Sequence, residues 1–259
     1  ADVDGFIAPN TRYADAMAGY LAVPREWIEV VPLGLNLDGY SEVATSGSEE
    51  FTLGYLARIC PEKGLHLLVE AYALLRQRGC RLRLEVAGFL GRRDRDYCTE
   101  QRRRLRRWEE AGEVVFHGEV DRAGKLAFLQ GLDALCVPTV YREAKGRFAL
   151  EAMAAAVPVI APEHGAFPEL LVQTGGGILV APNSVDAIVS AVERLLDEPE
   201  LRRRHPPRRV LQHAHAAARE VEHAAALHGQ RLRPLLHGAR HHRGARHVAD
   251  ARLVGRAEA

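Results

Sequence analysis

Two glutamates separated by seven residues are the first candidates for chemistry in this sequence. Glu143 lies in a loop between an apolar run that ends near Pro138 and a helix that begins near Gly146. Glu151 lies one turn into that helix, which is apolar nearly all round and is therefore predicted to be buried. A buried carboxylate needs a hydrogen-bond donor, and sugar hydroxyls are good donors to carboxylates. From the residues alone, a sugar ligand is as good an explanation of Glu151 as a structural arginine or exposure to solvent.

A second candidate is the basic turn after the first apolar run of the central region. Arg58 closes that run, and Lys63 opens the next helix with Gly64 after it. A cation at a helix N-terminus opposes the helix dipole, but it is understandable if a phosphate lies between the two side chains, because helix N-termini bind anions. The alternative is a pair of solvent-exposed cations, as most surface arginines and lysines are.

Two glycine-containing segments are weaker candidates. The stretch Glu163–Glu169 follows another apolar run, and Gly165 in it would allow a ligand to approach the backbone closely. An ordinary strand-to-helix turn is the favoured interpretation of these residues alone. The triplet Gly175–Gly177 lacks the spacing of a dinucleotide-binding fingerprint, so it is predicted to shape a loop.

Five arginines lie between Gln101 and Trp108 on a predicted helix. Such a face could contact an anionic membrane surface. Because Glu109 and Glu110 follow directly, a solvated helix face is the favoured interpretation. Weak peripheral membrane contact is kept as the alternative.

These candidates lie in a region, 51–201, where strand-like and helix-like patterns alternate. The alternation predicts right-handed strand–helix–strand units and a doubly wound, Rossmann-like α/β fold with a parallel sheet. Ligands of such sheets bind outside the carboxyl ends of the strands. The predicted strands are Thr52–Ala57, Leu82–Ala87, Val114–His117, Ala134–Pro138, Pro158–Ala161 and Gly177–Val180. The predicted helices are Leu65–Arg78, Asp94–Ala111, Arg122–Gly131, Arg147–Ala156 and Val185–Leu196.

Composition argues against several classes of protein. The net charge of +1 on 259 residues gives no global field that would attract nucleic acid. The four cysteines are irregularly spaced and lack a CxxC pair, which argues against a zinc site and a disulfide framework and favours a reducing, cytoplasmic compartment. No apolar run approaches the roughly 18 residues needed to cross a bilayer, and no signal peptide is predicted.

The start of the chain differs from this central region. Residues 1–40 hold a short apolar run (Gly5–Ala8), a helix-like stretch (Thr11–Leu21) and an extended segment (Ile28–Pro32). Residues 41–50 are polar and small and are predicted to be a linker. Because the sequence opens without an initiator methionine, an internal start is expected.

The last segment, 202–259, uses only ten residue types and holds nine of the twelve histidines. A packed domain normally needs aromatic and β-branched residues, so no unique packed structure is predicted here. One interpretation is a disordered or loosely helical tail, and the other, which is favoured, is out-of-frame translation of a GC-rich gene. A histidine metal site is disfavoured because no ligand spacing repeats.

Several separate motifs together resemble the carboxyl-terminal domain of family four glycosyltransferases, which have the two-domain GT-B architecture. The resemblance covers about 51–201, and residues 1–40 resemble the end of the amino-terminal domain and the interdomain crossover. The matching motifs are the Arg58…Lys63-Gly64 turn, the Phe116-His-Gly118 strand end, the pair Glu143 and Glu151, Leu150-Glu-Ala-Met with Pro158-Val, and His164-Gly165…Pro168-Glu169.

The resemblance implies a role for each matching position. Arg58 and Lys63 would bind the diphosphate of a nucleoside diphosphate sugar, Glu143 would hold hydroxyls of the donor sugar, and Glu151 would hold the ribose. Transfer would retain the anomeric configuration, with Arg58, Lys63 and Glu143 as the catalytic residues and with no metal or other cofactor. The remaining donor-binding positions are Gly118 and Val120, which would meet the base through their backbone, and Gly146 and Gly165.

Two positions depart from the family pattern. Ala156 stands where the family usually has a glycine that ends the helix; because that residue is often left-handed, alanine would cost about 1 kcal/mol there. Leu33 replaces a usual asparagine. The glycine-rich loop and the acceptor residues of the amino-terminal domain are not found in 1–40. The chain is therefore expected to be a fragment that transfers no sugar at a useful rate alone.

The function expected from the resemblance is transfer of a hexosyl group to an unidentified sugar, lipid or other acceptor, in polysaccharide biosynthesis. The expected location is the cytoplasm, with the inner face of the cell membrane as the alternative. The competing hypothesis is a non-catalytic nucleotide-sugar-binding module or a degenerate GT-B homologue. A third hypothesis keeps the fold but gives it epimerase or phosphorylase chemistry; the pair Glu143 and Glu151, together with Arg58 and Lys63, favours a transferase.

Overall fold

The computed structural model of the chain describes residues 3, 5–40, 50–202 and 232–234. These residues form two parallel sheets with helices packed against them. The predicted linker apart from Glu50, and most of the tail, lie outside the described residues. The predictions for both segments therefore stay predictions.

The smaller sheet is built mainly from the start of the chain. Strand β1 (Gly5–Ala8) lies between β2 (Ile28–Val30) and β9 (Leu232–Pro234), and both pairings are parallel. Helix α1 (Thr11–Leu21) packs on this sheet through the buried Ala14. Strand β9 was not predicted, because the composition of the tail indicates only that it lacks a core of its own. Three residues that pair with an existing strand do not need one.

The larger sheet has six parallel strands and confirms the doubly wound α/β prediction. All six residues of its central strand β3 are buried, as cover on both faces requires. Leu53 in β3 pairs with Leu84 on one side and Ala134 on the other. The strands are β3 (Phe51–Leu56), β4 (Leu82–Ala87), β5 (Val114–Gly118), β6 (Ala134–Cys136), β7 (Val159–Pro162) and β8 (Gly177–Val180).

The order of the strands, β5-β4-β3-β6-β7-β8, reverses once. The chain moves outward from β3 to β5, then returns to the other side of β3 and moves outward again from β6 to β8. Doubly wound sheets bind their ligands in a crevice outside the carboxyl ends of the two strands at which the order reverses. In this chain those strands are β3 and β6.

The predicted helices of the central region begin within one residue, and end within two, of helices in the structure. Two helices, α6 and α8, were not predicted. Helix α6 spans only eight residues, has no side-chain N-cap and is flanked by glycines, and α8 spans only four residues. The helices are α2 (Leu65–Gln77), α3 (Arg95–Glu110), α4 (Arg122–Gln130), α5 (Arg147–Ala154), α6 (Phe167–Thr174), α7 (Val185–Asp197) and α8 (Pro199–Arg202).

The cysteine thiols and the lengths of the helices bear on which functions this chain can have. All four cysteines are free thiols. Burial raises the pKa of the Cys98 and Cys136 thiols, which makes them poor nucleophiles. Among the described residues, no helix is long and apolar enough to cross a membrane.

Ala156 follows α5 in the left-handed backbone conformation, with a φ of 60°. We expect Ala156→Gly to raise the free energy of unfolding by about 0.5–1 kcal/mol, because glycine adopts this conformation without Cβ strain. The matched control is Ala154→Gly inside α5, which should lower that free energy by about 1 kcal/mol. Urea unfolding followed by circular dichroism measures both. Destabilisation by both substitutions would contradict the assignment of strain to Ala156.

Candidate functional site

The predicted catalytic residues follow the two strands at which the sheet order reverses. Arg58 and Lys63 come after β3, and Glu143 comes after β6. Because β3 and β6 are paired and parallel, the loops after them meet at the same edge of the sheet. The main chain also joins the loops directly, since the Val140 N–H donates to the Glu62 carbonyl oxygen at 3.0 Å.

Gly64 allows these two loops to approach each other. Lys63 ends a single 3₁₀ turn, Pro61–Lys63, rather than opening α2, which begins at Leu65. Gly64 has a φ of 74°, and a Cβ added to it would lie 1.9 Å from the carbonyl oxygen of Pro138. Only glycine fits at this position.

Lys63 and Glu143 form a buried ion pair, with 2.6 Å between Nζ and Oε2. Only 9% of Lys63 and 8% of Glu143 is exposed. Tyr141 Oη lies 2.7 Å from Lys63 Nζ and donates to Glu143 Oε2 at 2.6 Å. The other carboxylate oxygen, Oε1, accepts the backbone N–H of Lys145 at 3.2 Å. The predicted cation and carboxylate are therefore brought together, and Tyr141 is a partner that the sequence analysis missed.

These contacts fix the charge of Glu143. Burial alone would raise the pKa of this carboxyl group. The positive charge and hydrogen bond of Lys63, with the hydrogen bonds from Tyr141 and the Lys145 amide, outweigh burial and lower the pKa to about 2. Burial and the adjacent Glu143 raise the pKa of Tyr141, so its hydroxyl stays protonated and acts as a donor. The cluster thus holds one ammonium and one carboxylate at neutral pH.

Arg58 lies beside this cluster but outside it. Its side chain is exposed, and its guanidinium makes no hydrogen bond or ion pair with the part of the chain that the structure describes. Its charge opposes the rise in the pKa of Tyr141 that burial and Glu143 cause. Arg58 is therefore a cation at the edge of the crevice that is available to an anionic ligand.

Glu151 is buried on α5, as predicted, but it already has protein partners. Its Oε1 lies 2.6 Å from Lys125 Nζ and 3.1 Å from Arg147 Nε. The structural arginine that was the alternative to a sugar ligand is thus present as Arg147, and Lys125 is an additional partner. Lys125 gives no signal in the sequence because it lies on α4, 26 residues before Glu151. The ribose-binding role stays a prediction.

Of the three predicted glycines, Gly118 has open space where a Cβ would be, whereas Gly146 and Gly165 are packed against other residues. Gly118 ends β5 with a φ of 71° and open space where a Cβ would be, and the half-buried Val120 follows it. Gly146 precedes α5, and its Cβ would lie 3.2 Å from the Phe167 ring. At Gly165, a Cβ would lie 2.4 Å from the carbonyl oxygen of Glu143. Gly165 therefore lets its loop approach the backbone of Glu143 closely. The sequence had suggested that the same glycine lets a ligand approach.

A cavity of about 440 Å³ lies between α1 and the loops that follow β6 and β7. Glu143 is in its wall, so the carboxylate loop faces the segment that comes from the start of the chain. Ligand pockets commonly have volumes of roughly 300–1,000 Å³. The lining residues are Asn10, Arg12, Tyr13, Asp15, Ala16, Arg142, Glu143, Glu163, His164 and Gly165.

The five arginines between Gln101 and Trp108 have acidic or aromatic partners. Arg102, Arg103 and Arg106 pair with Glu109, Glu100 and Glu110 on the same helix. Arg104 pairs with a glutamate of α2, and Arg107 stacks over the Trp108 ring. These contacts favour the solvated helix face over an anionic membrane surface.

The described residues offer little for a metal ion. Within the described segments, no group of three or more His, Cys, Asp or Glu side chains is arranged to hold a metal ion. Nine of the twelve histidines lie in the tail, outside those segments. The expectation of a metal-free site stays a prediction.

A family model described as Glycosyl transferases group 1 matches residues 40–206. The chain belongs to this family. The phosphatidyl-myo-inositol mannosyltransferase of Mycolicibacterium smegmatis is 32% identical over 167 residues, which cover 64% of this chain and 40% of that protein. A glycogen synthase of Mycobacterium tuberculosis is 32% identical over 145 residues, covering 56% of this chain and 34% of that protein. The chain thus spans less than half the length of these relatives.

Solved structures show the same fold. The HepE protein of Anabaena, in complex with UDP and glucose, has a TM-score of 0.73 at 19% identity, over 86% of this chain and 63% of that chain. The carboxyl-terminal domain of LpcC from Francisella tularensis, a group 1 family protein, has a TM-score of 0.58 at 23% identity, over 72% of this chain and 97% of that chain. These similarities confirm the predicted GT-B carboxyl-terminal domain.

The lowered pKa of Glu143 makes a prediction about pH. The ordinary value is 4.5 and the folded value is about 2, so between these values the unfolded chain binds a proton that the folded chain does not. The free energy of unfolding should therefore fall as the pH falls through this window. Glu143→Gln removes the titrating group, so its decline between about pH 5 and pH 3 should be shallower than that of the wild type.

Urea unfolding at several pH values measures this difference. At pH 7, Glu143→Gln should also cost about 3 kcal/mol, because Lys63 loses its buried partner. The control is Ala154→Gly in α5, which lowers stability without removing a titrating group and should therefore keep the pH slope of the wild type. Equal slopes in Glu143→Gln and the wild type would show that the ion pair does not set the charge of Glu143.

Proposed function

We propose that this chain is the donor-binding half of a retaining glycosyltransferase, which transfers a hexosyl group from a nucleoside diphosphate sugar to a sugar, lipid or other acceptor. The observation that carries the proposal is the buried Lys63–Glu143 pair beside the exposed Arg58, where the strand order reverses. Membership of the glycosyl transferases group 1 family supports it. Structures of the similarly folded HepE with UDP and with UDP-glucose also support it.

In this proposal the diphosphate binds Arg58 and Lys63. An ammonium group has three N–H donors, and in the described part of the chain Lys63 uses two of them, for Tyr141 and Glu143. The third donor would serve a phosphate oxygen, so that the ion pair need not break. Arg58 offers a planar fork that suits two phosphate oxygens. The N-terminus of α5, at Gly146, adds backbone N–H groups that favour an anion.

The two glutamates keep acceptor capacity for hydroxyl groups. A carboxylate has about four lone-pair sites, and Oε1 of Glu143 accepts only the Lys145 N–H among the described residues. Oε2 of Glu151 accepts no hydrogen bond from them. Glu143 is proposed to bind the donor sugar and Glu151 the ribose. Gly118 and Val120 would contact the base through their backbone. Gly165 would pack against the backbone of Glu143.

The proposed chemistry needs charge stabilisation more than a nucleophile. As the bond to the sugar breaks, negative charge grows on the leaving diphosphate, and the cations Arg58 and Lys63 are placed to stabilise it without a metal. The leaving diphosphate would assist the acceptor on the same face, which retains the anomeric configuration. Positioning of the acceptor would supply much of the rate.

A second candidate function is a nucleotide-sugar-binding module without catalysis. The observation that favours it is Ala156, which adopts the left-handed conformation where the family pattern has glycine, as expected of a degenerate homologue. We propose a cytoplasmic location because four free thiols suit a reducing compartment. Contact with the inner face of the cell membrane is the alternative location.

Arg58→Ala is the sharpest test of donor binding, because Arg58 is exposed and its loss leaves no buried charge unpaired. We expect it to weaken binding of a nucleoside diphosphate by about 1.5–3 kcal/mol, the worth of hydrogen bonds to a charged group. Lys63→Ala should weaken binding further, with a loss of stability. Titration calorimetry with UDP, GDP and ADP measures the affinities.

The matched control for Arg58→Ala is Arg103→Ala, an exposed arginine on α3 that pairs with Glu100. It should leave the affinity for each nucleotide unchanged. Wild-type affinity in both Arg58→Ala and Lys63→Ala would remove these residues from the donor site.

For the chain as given, we propose donor binding without efficient transfer. Loss of acceptor orientation forfeits up to about 7–11 kcal/mol of barrier lowering, and residual activity should be slow hydrolysis of the donor. Incubation with UDP-glucose, GDP-mannose or ADP-glucose, with and without sugar or lipid-linked acceptors, measures nucleotide release and product. Acceptor-dependent turnover of about 1 per second or more would contradict this expectation and the non-catalytic module alike.

A further inference from the structure

Asn10 makes two hydrogen bonds that join the start of the chain to the loop of Glu143. Its Oδ1 accepts the N–H of Tyr13 at 2.8 Å and caps α1. Its Nδ2 donates to the carbonyl oxygen of Ala144 at 2.6 Å, across 134 residues of sequence. Only 7% of Asn10 is exposed. Both ends of the amide are therefore used, and the cap fixes which end faces Ala144.

The peptide group that Asn10 contacts also holds the Glu143 carboxylate. The carbonyl of Ala144 and the N–H of Lys145 belong to the same planar peptide unit and point in opposite directions. Asn10 binds the carbonyl, while the N–H donates to Glu143 Oε1 at 3.2 Å. A rotation of this peptide plane would release both bonds together. The orientation of the carboxylate is thus tied to the position of α1.

A second contact holds α1 in the same place. The backbone N–H of Thr11 donates to Glu169 Oε2 at 3.0 Å, and its hydroxyl lies 3.3 Å from Oε1. Glu169 is on α6, which follows the loop that supports Glu143. The amide of Asn10 and the carboxylate of Glu169 both meet the N-terminus of α1, where exposed N–H groups favour oxygen acceptors.

We propose that Asn10 is a positioning residue. Through the Ala144–Lys145 peptide, it orients Glu143 toward the donor sugar, so that recognition of the sugar depends on the position of α1. The inference rests on the proposed function, in which Glu143 binds that sugar. Asn10 touches neither the diphosphate cations Arg58 and Lys63 nor Glu151. Its loss should therefore weaken binding of a nucleotide sugar more than binding of the nucleoside diphosphate.

Two substitutions separate this role from helix capping. Asn10→Ser keeps a good N-cap oxygen but is too short and has no amide to reach Ala144. Asn10→Asp also caps α1, but it places a carboxylate against the Ala144 carbonyl. The matched control is Ser184→Ala, which removes the cap of the remote helix α7, where Ser184 Oγ accepts the Ala187 N–H at 3.2 Å. The control loses stability without touching the site.

Calorimetry on the full chain would compare UDP-glucose with UDP, and GDP-mannose with GDP. For the pair that the wild type binds, we expect Asn10→Ser to raise the Kd of the nucleotide sugar about fivefold to tenfold and Asn10→Asp to raise it further, with the nucleoside diphosphate within about twofold. Ser184→Ala should leave both Kd values unchanged. Equal ratios of the two Kd values in the wild type and both Asn10 variants would overturn the proposal.

Amide hydrogen exchange without ligand tests the same inference independently. The Lys145 N–H should exchange faster in Asn10→Ser and Asn10→Asp than in the wild type, and at the wild-type rate in Ser184→Ala. Unchanged exchange in both Asn10 variants would overturn the positioning role. A wild-type chain that binds no nucleotide or nucleotide sugar would instead contradict the proposed function, so the two failures are distinguishable.

Discussion

The buried ion pair between Lys63 and Glu143 is the constraint on which the site depends. An unpaired charge in this position would cost several kcal/mol, so the loops after β3 and β6 must bring Nζ and Oε2 to the observed 2.6 Å. That approach requires two glycines with positive φ. Gly64 lies against the Pro138 carbonyl, and Gly165 lies against the backbone of Glu143. The ion pair therefore forms only because glycine stands at both positions.

The same pairing sets the electrostatics of the crevice. Glu143 is neutralised by Lys63, and Glu151 is neutralised by Lys125 and Arg147. Two carboxylates would otherwise repel a diphosphate at the place where the strand order favours its binding. With both compensated, the second cation beside Glu151 and the exposed Arg58 leave an excess of positive charge. In the proposed function, an anionic ligand would bind beside carboxylates that remain available to its hydroxyl groups.

The sequence predicted the large sheet well because its strands are buried on both faces and appear as apolar runs. It also placed Arg58, Lys63 and Glu143 at the carboxyl ends of strands, because each of them follows a strand-like apolar run in the sequence. It did not predict α6, where glycines outweigh a short helical pattern. The partners of Glu143 and Glu151 were also beyond reach, because Lys63 and Lys125 lie 80 and 26 residues away and meet them only in the folded chain.

Glu143 is held from three directions, and only two of them belong to the large sheet. Lys63, after β3, binds the carboxylate; Ala166, after β7, donates its N–H to the Glu143 carbonyl at 2.8 Å. Asn10 holds the next peptide from the side of α1. The first two contacts belong to the large sheet and move with it. The third does not, so any shift of α1 relative to that sheet must either break a 2.6 Å hydrogen bond or turn the peptide that orients the carboxylate.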